Sequence, residues 1–281
     1  MNNHSTIPVS IQSQSVSFQA LPPLSLYIHI PWCVRKCPYC DFNSHEGRDD
    51  LPEHEYVAAL VRDLEMALPQ IWGRKVYTVF FGGGTPSLLS SEGIAEILRN
   101  VRMLLPLDLG AEITLEANPG TVEATRFAEY RDAGINRLSI GIQSFNDTHL
   151  TALGRIHSSD EAKQAIEIAQ RCFDNINLDL MYALPQQTLA QAMQDVETAL
   201  SFTPQHLSCY HLTLEPNTLF HHNPPSLPDD DASAEMQQHI EALLATQGYQ
   251  HYETSAFAQP NRRSKHNLNY WKFGDYLGIG A

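Results

Sequence analysis

Short runs of β-branched and aromatic residues recur along this chain and alternate with longer stretches of helical periodicity. The runs Ser25 to Ile30, Val76 to Phe81, Glu112 to Glu116, Arg137 to Ile142, Ile176 to Met181 and His206 to Leu214 predict strands. Stretches near 53–68, 91–105, 121–133, 159–172, 188–201 and 232–247 predict the helices between and after them. Pro86, Pro119, Pro185 and Pro216 each stand just beyond a strand, where a missing N–H costs nothing. Alternation of this kind signals successive βα units around a parallel sheet. Six units fall short of the eight that close a TIM barrel, so the pattern predicts an α/β fold, an open, curved (β/α)6 partial barrel. Its functional residues are expected at the carboxyl ends of the strands.

The two ends of the chain read differently. Residues 1–23 begin with a stretch rich in Ser, Gln and Asn that has no positive start and no continuous apolar run. They are expected to be a disordered leader, neither signal peptide nor membrane span, ahead of a barrel over 24–248. From Tyr249 to Phe257 one more strand is predicted, followed by a His/Asn/aromatic segment. The last residues, Leu277 to Ala281, carry no terminating helix or polar tail, so 249–281 is read as the start of a carboxy-terminal region that continues. Asp229-Asp230-Asp231, before the sixth helix, is read as a helix cap facing water.

Composition narrows the function classes. With 281 residues, 43% of them hydrophobic, the chain can bury the core of one large domain. A net charge of -14, with no run among 18 Lys and Arg, argues against nucleic acid as a partner. Five cysteines, of which Cys172 falls in a helical pattern and Cys209 in a strand, do not form a disulfide framework. A cytoplasmic location, at most peripheral to a membrane, is the expectation.

The other three cysteines, Cys33, Cys37 and Cys40, follow the first strand at C-x3-C-x2-C spacing. Thiolates this close can converge on one metal centre, and three of them leave a four-iron cluster one ligand short. On the cysteines alone a zinc site is an equal alternative, because zinc wants four ligands and His29 or His45 could supply the fourth. Further along, Phe80-Phe81-Gly82-Gly83-Gly84-Thr85-Pro86 ends the second strand with glycines that let a backbone approach a ligand closely. Glu116 and Gln143 end the third and fourth strands, Arg155 follows, and Asp179 lies inside an apolar strand, where an acid needs a partner. Each has an ordinary structural explanation when taken singly.

Together these motifs resemble the oxygen-independent coproporphyrinogen oxidase-like branch of the radical S-adenosylmethionine (SAM) proteins, from about Leu24 to the last residue. The branch signature stands as Tyr27-Ile28-His29-Ile30-Pro31-Trp32-Cys33, continuing through Cys37, Tyr39 and Cys40. The resemblance sets zinc aside. It implies a [4Fe-4S] cluster on Cys33, Cys37 and Cys40, and SAM held by Tyr27, Tyr39, Gly83, Gly84, Thr85, Glu116, Gln143, Arg155 and Asp179. Arg155 suits the methionine carboxylate and Asp179 with Gln143 the ribose hydroxyls. In such proteins the reduced cluster cleaves SAM to methionine and a 5′-deoxyadenosyl radical.

Two functions diverge within the branch. Coproporphyrinogen III dehydrogenases, which decarboxylate their substrate oxidatively by hydrogen abstraction, carry a fourth cysteine two residues past the third, where this chain has Phe42. The sister group of heme chaperones has C-D-F or C-x-Y there and an H-N-x-x-Y-W segment implicated in heme binding; here it reads His266-Asn267-Leu268-Asn269-Tyr270-Trp271. Asn269 stands where some relatives have a second His, so the segment offers one imidazole, His266. The chaperone reading implies heme as cargo and membrane respiratory heme-acceptor proteins as partners. It is compatible with a homodimer.

Overall fold

The computed structural model describes residues 20–47, 51–120 and 124–281, so most of the expected leader lies outside the described residues. Six parallel strands build the centre: β1 (Leu24–Ile30), β4 (Val76–Gly83), β5 (Leu107–Ala117), β6 (Arg137–Gln143), β7 (Ile176–Tyr182) and β8 (His206–His211), neighbours in chain order. Between and after them run α1 (Glu53–Ile71), α2 (Ser91–Leu104), α3 (Phe127–Ala133), α4 (Asp147–Ala152), α5 (Ser159–Cys172), α6 (Leu189–Ser201) and α8 (Asp230–Thr246). The predicted partial barrel is therefore present. Helix starts follow local chemistry: capping boxes Ser158/Glu161 and Thr188/Gln191 open α5 and α6, and Asp229 caps α8 by accepting from Ala232 N at 2.8 Å.

The two faces of the sheet differ in kind. A cavity meets Arg137, Ser139, Gly141 and Gln143 along β6, Asn177, Asp179 and Met181 along β7, and His206, Ser208 and Tyr210 along β8. The intervening Leu138, Ile140, Ile142, Leu178, Leu180, Leu207 and Cys209 belong to the main apolar core. Period-two alternation thus separates an outer hydrophobic face from an inner polar one. Parallel sheets usually bury both faces as apolar runs. Here the inner face is a solvent-sized hollow lined with hydrogen-bonding groups.

The tail of the chain differs from its prediction. Residues 249–281 join the same sheet at both edges. The single strand expected over Tyr249 to Phe257 is a hairpin of β9 (Gln250–Glu253) and β10 (Ala256–Ala258), because Thr254 and Ser255 make a turn whose Ser255 carbonyl accepts from Cys209 N. β10 pairs antiparallel with β8. The His/Asn/aromatic segment becomes α9 (Lys265–Trp271), and β11 (Asp275–Ile279) lies parallel to β1. β8 ends at His211, three residues before the prediction. The short α7 (Leu219–His222) and the two-residue pair β2 (Trp32–Cys33) and β3 (His45–Glu46) had no sequence signal.

One carboxylate ties two loops at the mouth of the barrel. Asp195 on α6 accepts from Ser144 Oγ and Phe145 N, both at 2.7 Å, and faces Gln187 Nε2 at 3.5 Å. Burial pushes its carboxyl up to about 6, and those two hydrogen bonds limit the rise. Ser144 and Phe145 directly follow Gln143, so this tie fixes the end of β6. Asp195→Ala is expected to cost about 1–3 kcal/mol for each buried donor it orphans, read as a fall in the denaturant midpoint at constant slope.

Candidate functional site

The cysteine loop is set by its approach to the glycine turn. Gly84 N donates to Ile30 O and Thr85 N to Trp32 O, both at 2.7 Å, extending the β1–β4 pairing past the strand ends into the loop. A Cβ on Gly84 would meet the Trp32 carbonyl oxygen at 2.5 Å, and one on Gly83, at φ +118, would meet the His29 ring at 2.6 Å. These glycines are required by the protein's own backbone as well as by any ligand. On the other side Gly47 N donates to Cys33 O, and Lys36 Nζ donates to the carbonyls of Phe42 and Ser44 at 3.1 and 3.0 Å. Above, Phe220 N donates to Pro38 O at 2.9 Å, and Tyr39 packs against the small core of Leu153, Met181, Leu184, Leu212 and Phe220.

Cys33, Cys37 and Cys40 all line a cavity of about 570 Å³, as do Tyr39, Gly83, Gly84, Thr85, Glu116, Gln143, Arg155 and Asp179. The structure thus brings together eleven of the thirteen residues singled out in the sequence. Tyr27 and His266 are absent from the wall. Tyr27 is stacked on Phe80 and its hydroxyl lies 3.2 Å from His29 Nδ1. His266 is buried with Nδ1 2.7 Å from Thr78 Oγ1 and Nε2 2.9 Å from the Tyr270 hydroxyl.

The sulfurs fit a cluster better than zinc. His29 Nε2 bonds Asn43 O at 2.7 Å, so both of its ring nitrogens are engaged, and His45 lies exposed on β3. Among the described residues no three His, Cys, Asp or Glu side chains stand close enough to hold one bare ion; a cluster, being wider, takes thiolates set further apart. Burial pushes the Cys33 thiol up, against hydrogen bonds from Thr85 and Ser44. Arg155 Nη1 reaches Cys37 Sγ at 3.6 Å. Hydrogen bonds and a guanidinium beside the sulfurs favour thiolates and tune a cluster's potential.

Arg155 is held by Asn118 Oδ1 at 2.6 Å and Gly141 O at 3.0 Å, yet its Nε is buried without a partner. An orphaned buried donor in a cavity wall fits a ligand carboxylate. Asn118 was not singled out in the sequence; it links Arg155 to Thr85 Oγ1 at 3.0 Å across the strand ends. Gln143 stands at a bulge between β6 and β7, with φ 67, a left-handed backbone that a non-glycine residue adopts at a cost.

Below these lies a polar layer. Asp179 accepts from Ser139 Oγ at 2.9 Å and Asn177 Nδ2 at 2.8 Å, and Asn177 Oδ1 lies 2.5 Å from His206 Nδ1. Burial raises Asp179, while those bonds and Arg137 pull it back. Glu116 is pushed up to about 8 by burial and then by Asp179; the Gly83 N–H and Arg137 oppose this. A raised acid contributes stability fully below its ordinary range and loses it as pH rises through about 8. Burial and the neighbouring Asp179 thus favour the protonated form of Glu116.

When bound, a [4Fe-4S] cluster with SAM would supply one-electron reductive cleavage; Cys33, Cys37 and Cys40 would hold the cluster and the cavity wall would seat SAM. Gly84→Ala is expected to displace the Trp32–Cys33 backbone and lower iron and sulfide per chain after anaerobic reconstitution, with far-UV circular dichroism unchanged. Wild-type iron content in that variant would contradict the role given to the turn.

Residues 27–199 match the radical SAM superfamily model. The chain is 56% identical over 262 residues to the heme chaperone HemW of Escherichia coli, covering 93% of this chain and 69% of that protein. It is 54% identical over 266 residues to HemW of Haemophilus influenzae, covering 93% and 70%. The solved structure of Escherichia coli coproporphyrinogen III oxidase, HemN, described as a radical SAM enzyme, matches with a TM-score of 0.81 at 27% identity, over 93% of this chain and 64% of that one. With twice the identity to the chaperones and Phe42 in place of a fourth cysteine, the chain belongs to the HemW heme-chaperone family within the radical SAM superfamily.

Proposed function

We propose that this protein binds heme and delivers it to membrane respiratory hemoproteins, using a SAM-liganded [4Fe-4S] cluster on Cys33, Cys37 and Cys40. The observation that carries the proposal is the identity with HemW proteins over 93% of the chain. Phe42, 60% exposed at the cavity mouth, supports it, since a fourth thiol there would suit the oxidase. Among the described residues no helix is long and apolar enough to cross a membrane. Action from the cytoplasm, peripheral to the acceptor's membrane, and assembly as a homodimer belong to the same proposal.

Within the cavity, Arg155 takes the methionine carboxylate, Glu116 faces the cationic end of SAM, and Asp179 with Gln143 takes the ribose hydroxyls. Loss of one desolvated charged contact costs about 2–5 kcal/mol. Arg155→Ala and Asp179→Ala are therefore expected to weaken SAM binding by well over tenfold in calorimetry while leaving iron content intact. Unchanged affinity in both would place the ligand elsewhere.

Glu116 adds a pH signature. If it is protonated when empty and ionised when SAM is bound, binding releases a proton below about pH 8, and affinity falls by up to about tenfold per pH unit below that point. Calorimetry in buffers of different ionisation enthalpy reads the released proton directly. Glu116→Gln is expected to flatten this dependence.

The function itself is tested by parallel anaerobic titration of the reconstituted protein with heme and with coproporphyrinogen III. The chaperone forms a stable heme complex with a shifted Soret band and no decarboxylated product. Product accumulating over multiple turnovers with SAM and a reductant would restore the dehydrogenase.

A further inference from the structure

The cavity continues below the residues that suit SAM. Along β6 its wall runs from Gln143, beside the cysteine loop, down through Gly141 and Ser139 to Arg137. Arg155 is anchored at the upper level, on Gly141 O and Cys37 Sγ. Arg137 starts two inward positions lower on the same strand, about 13 Å from Gly141 along it. The two guanidiniums therefore serve different levels of one hollow.

Arg137 is 2% exposed, and its Nε is buried without a partner. No ion pair reaches it among the described residues. The acids on the inner faces of the neighbouring strands are spent on other donors. Glu112 accepts from His266 N at 3.1 Å, Asp179 from Ser139 and Asn177, and Glu116 from the Gly83 N–H. His206 is engaged through both ring nitrogens, by Asn177 and Tyr252. Thr114, paired with Arg137 across β5 and β6, likewise keeps a buried hydroxyl without a partner. From below, Asn267 of α9 lines the same floor; its backbone N–H is taken by Ser264 Oγ, and its side-chain amide makes no hydrogen bond among the described residues. A buried guanidinium with open donors is costly unless an anion completes it.

We propose that the floor of the cavity is a second ligand site, which takes the carboxylate of an organic acid on the Arg137 fork with the Asn267 amide donating to the same group. The site rests on the placement of SAM at the upper level of the cavity. A planar carboxylate matches a guanidinium with two parallel hydrogen bonds. It also brings a single negative charge, whereas a phosphate would set two beside Asp179. Free short-chain acids and the propionates of a porphyrin share this chemistry, and the experiment separates them.

The test is saturation-transfer NMR of the reconstituted 281-residue protein, loaded with SAM so that Arg155 is occupied, with propionate as the probe. Wild type is expected to give a saturable propionate signal. Arg137→Gln binds propionate about tenfold or more weakly, and Asn267→Ala, on a separate element, about threefold more weakly. Arg137→Lys, which keeps the charge and loses the fork, falls between Arg137→Gln and wild type. Iron content and a cooperative thermal transition check that each variant folds; if Arg137→Gln does not, Asn267→Ala carries the test. Displacement of propionate by hemin assigns the carboxylate to a porphyrin, and hemin without effect assigns it to a free acid. No saturable signal in wild type, or wild-type affinity in the folded variants, would overturn the second site. Failure of SAM to bind, with propionate still held in a manner that depends on Arg137, would overturn the SAM placement and leave the second site standing.

Discussion

Two carboxylates, Glu116 and Asp179, face a hollow at the centre of a parallel sheet, and the cost of burying them shapes what surrounds them. Water would stabilise both; here Asp179 has Ser139 and Asn177, and Glu116 has the Gly83 N–H. Arg137, at the start of β6, lies beneath them with its Nε buried and unpartnered. Burial raises both, and Asp179 pushes Glu116 up further. An inner face of this kind is stable because the outer face carries the hydrophobic core instead, with Leu26, Ile28, Leu115, Ile140 and Leu178 packed under the helices. Binding chemistry and folding energy occupy opposite sides of the same strands.

The cysteine loop shows the same economy of parts. Its outer limb is secured to β3, its inner limb to the glycine turn, and its tip to α7 and the small core around Phe220. Thr85 then serves three neighbours: its N–H holds Trp32, its hydroxyl accepts from Asn118, and it lies beside the Cys33 sulfur. Through Asn118 this connects to Arg155, which touches Cys37. Arg155 is thus three hydrogen bonds from the Cys33 sulfur, through Asn118 and Thr85, and one from the Cys37 sulfur. Arg155, the residue proposed to seat SAM, therefore lies in direct contact with a proposed cluster ligand.

Much of this was legible in the sequence. Strand and helix alternation gave the six central units, since β-branched runs and capping residues act locally. The three cysteines and eight of the nine residues that the family resemblance assigns to SAM line one cavity at the strand ends. Asn118, just past β5, was missed, and so were Arg137, Ser139, Asn177 and Ser208, although their signal was present: Arg137 and Ser139, Asn177 and Asp179, and His206 and Ser208 are polar residues two apart on β6, β7 and β8, and that alternation was masked by the apolar residues between. The strand β11 was missed because Leu277-Gly278-Ile279-Gly280 has little strand propensity and is held by backbone pairing with β1. His266 stood out as an imidazole in a heme-like motif, but a sequence cannot show that Thr78, 188 positions earlier, and Tyr270 occupy both of its nitrogens.

The central claim is that this radical SAM scaffold carries heme and does not transform a porphyrinogen. It is tested most directly by loading the reconstituted protein with heme, mixing it with a heme-free respiratory acceptor in membranes, and following where the Soret absorbance partitions after separation. The account predicts heme in the acceptor fraction, with recovery of the acceptor's activity and the porphyrin chemically unchanged. Heme that stays on the protein while acceptor remains inactive, with added coproporphyrinogen III decarboxylated instead, would contradict it.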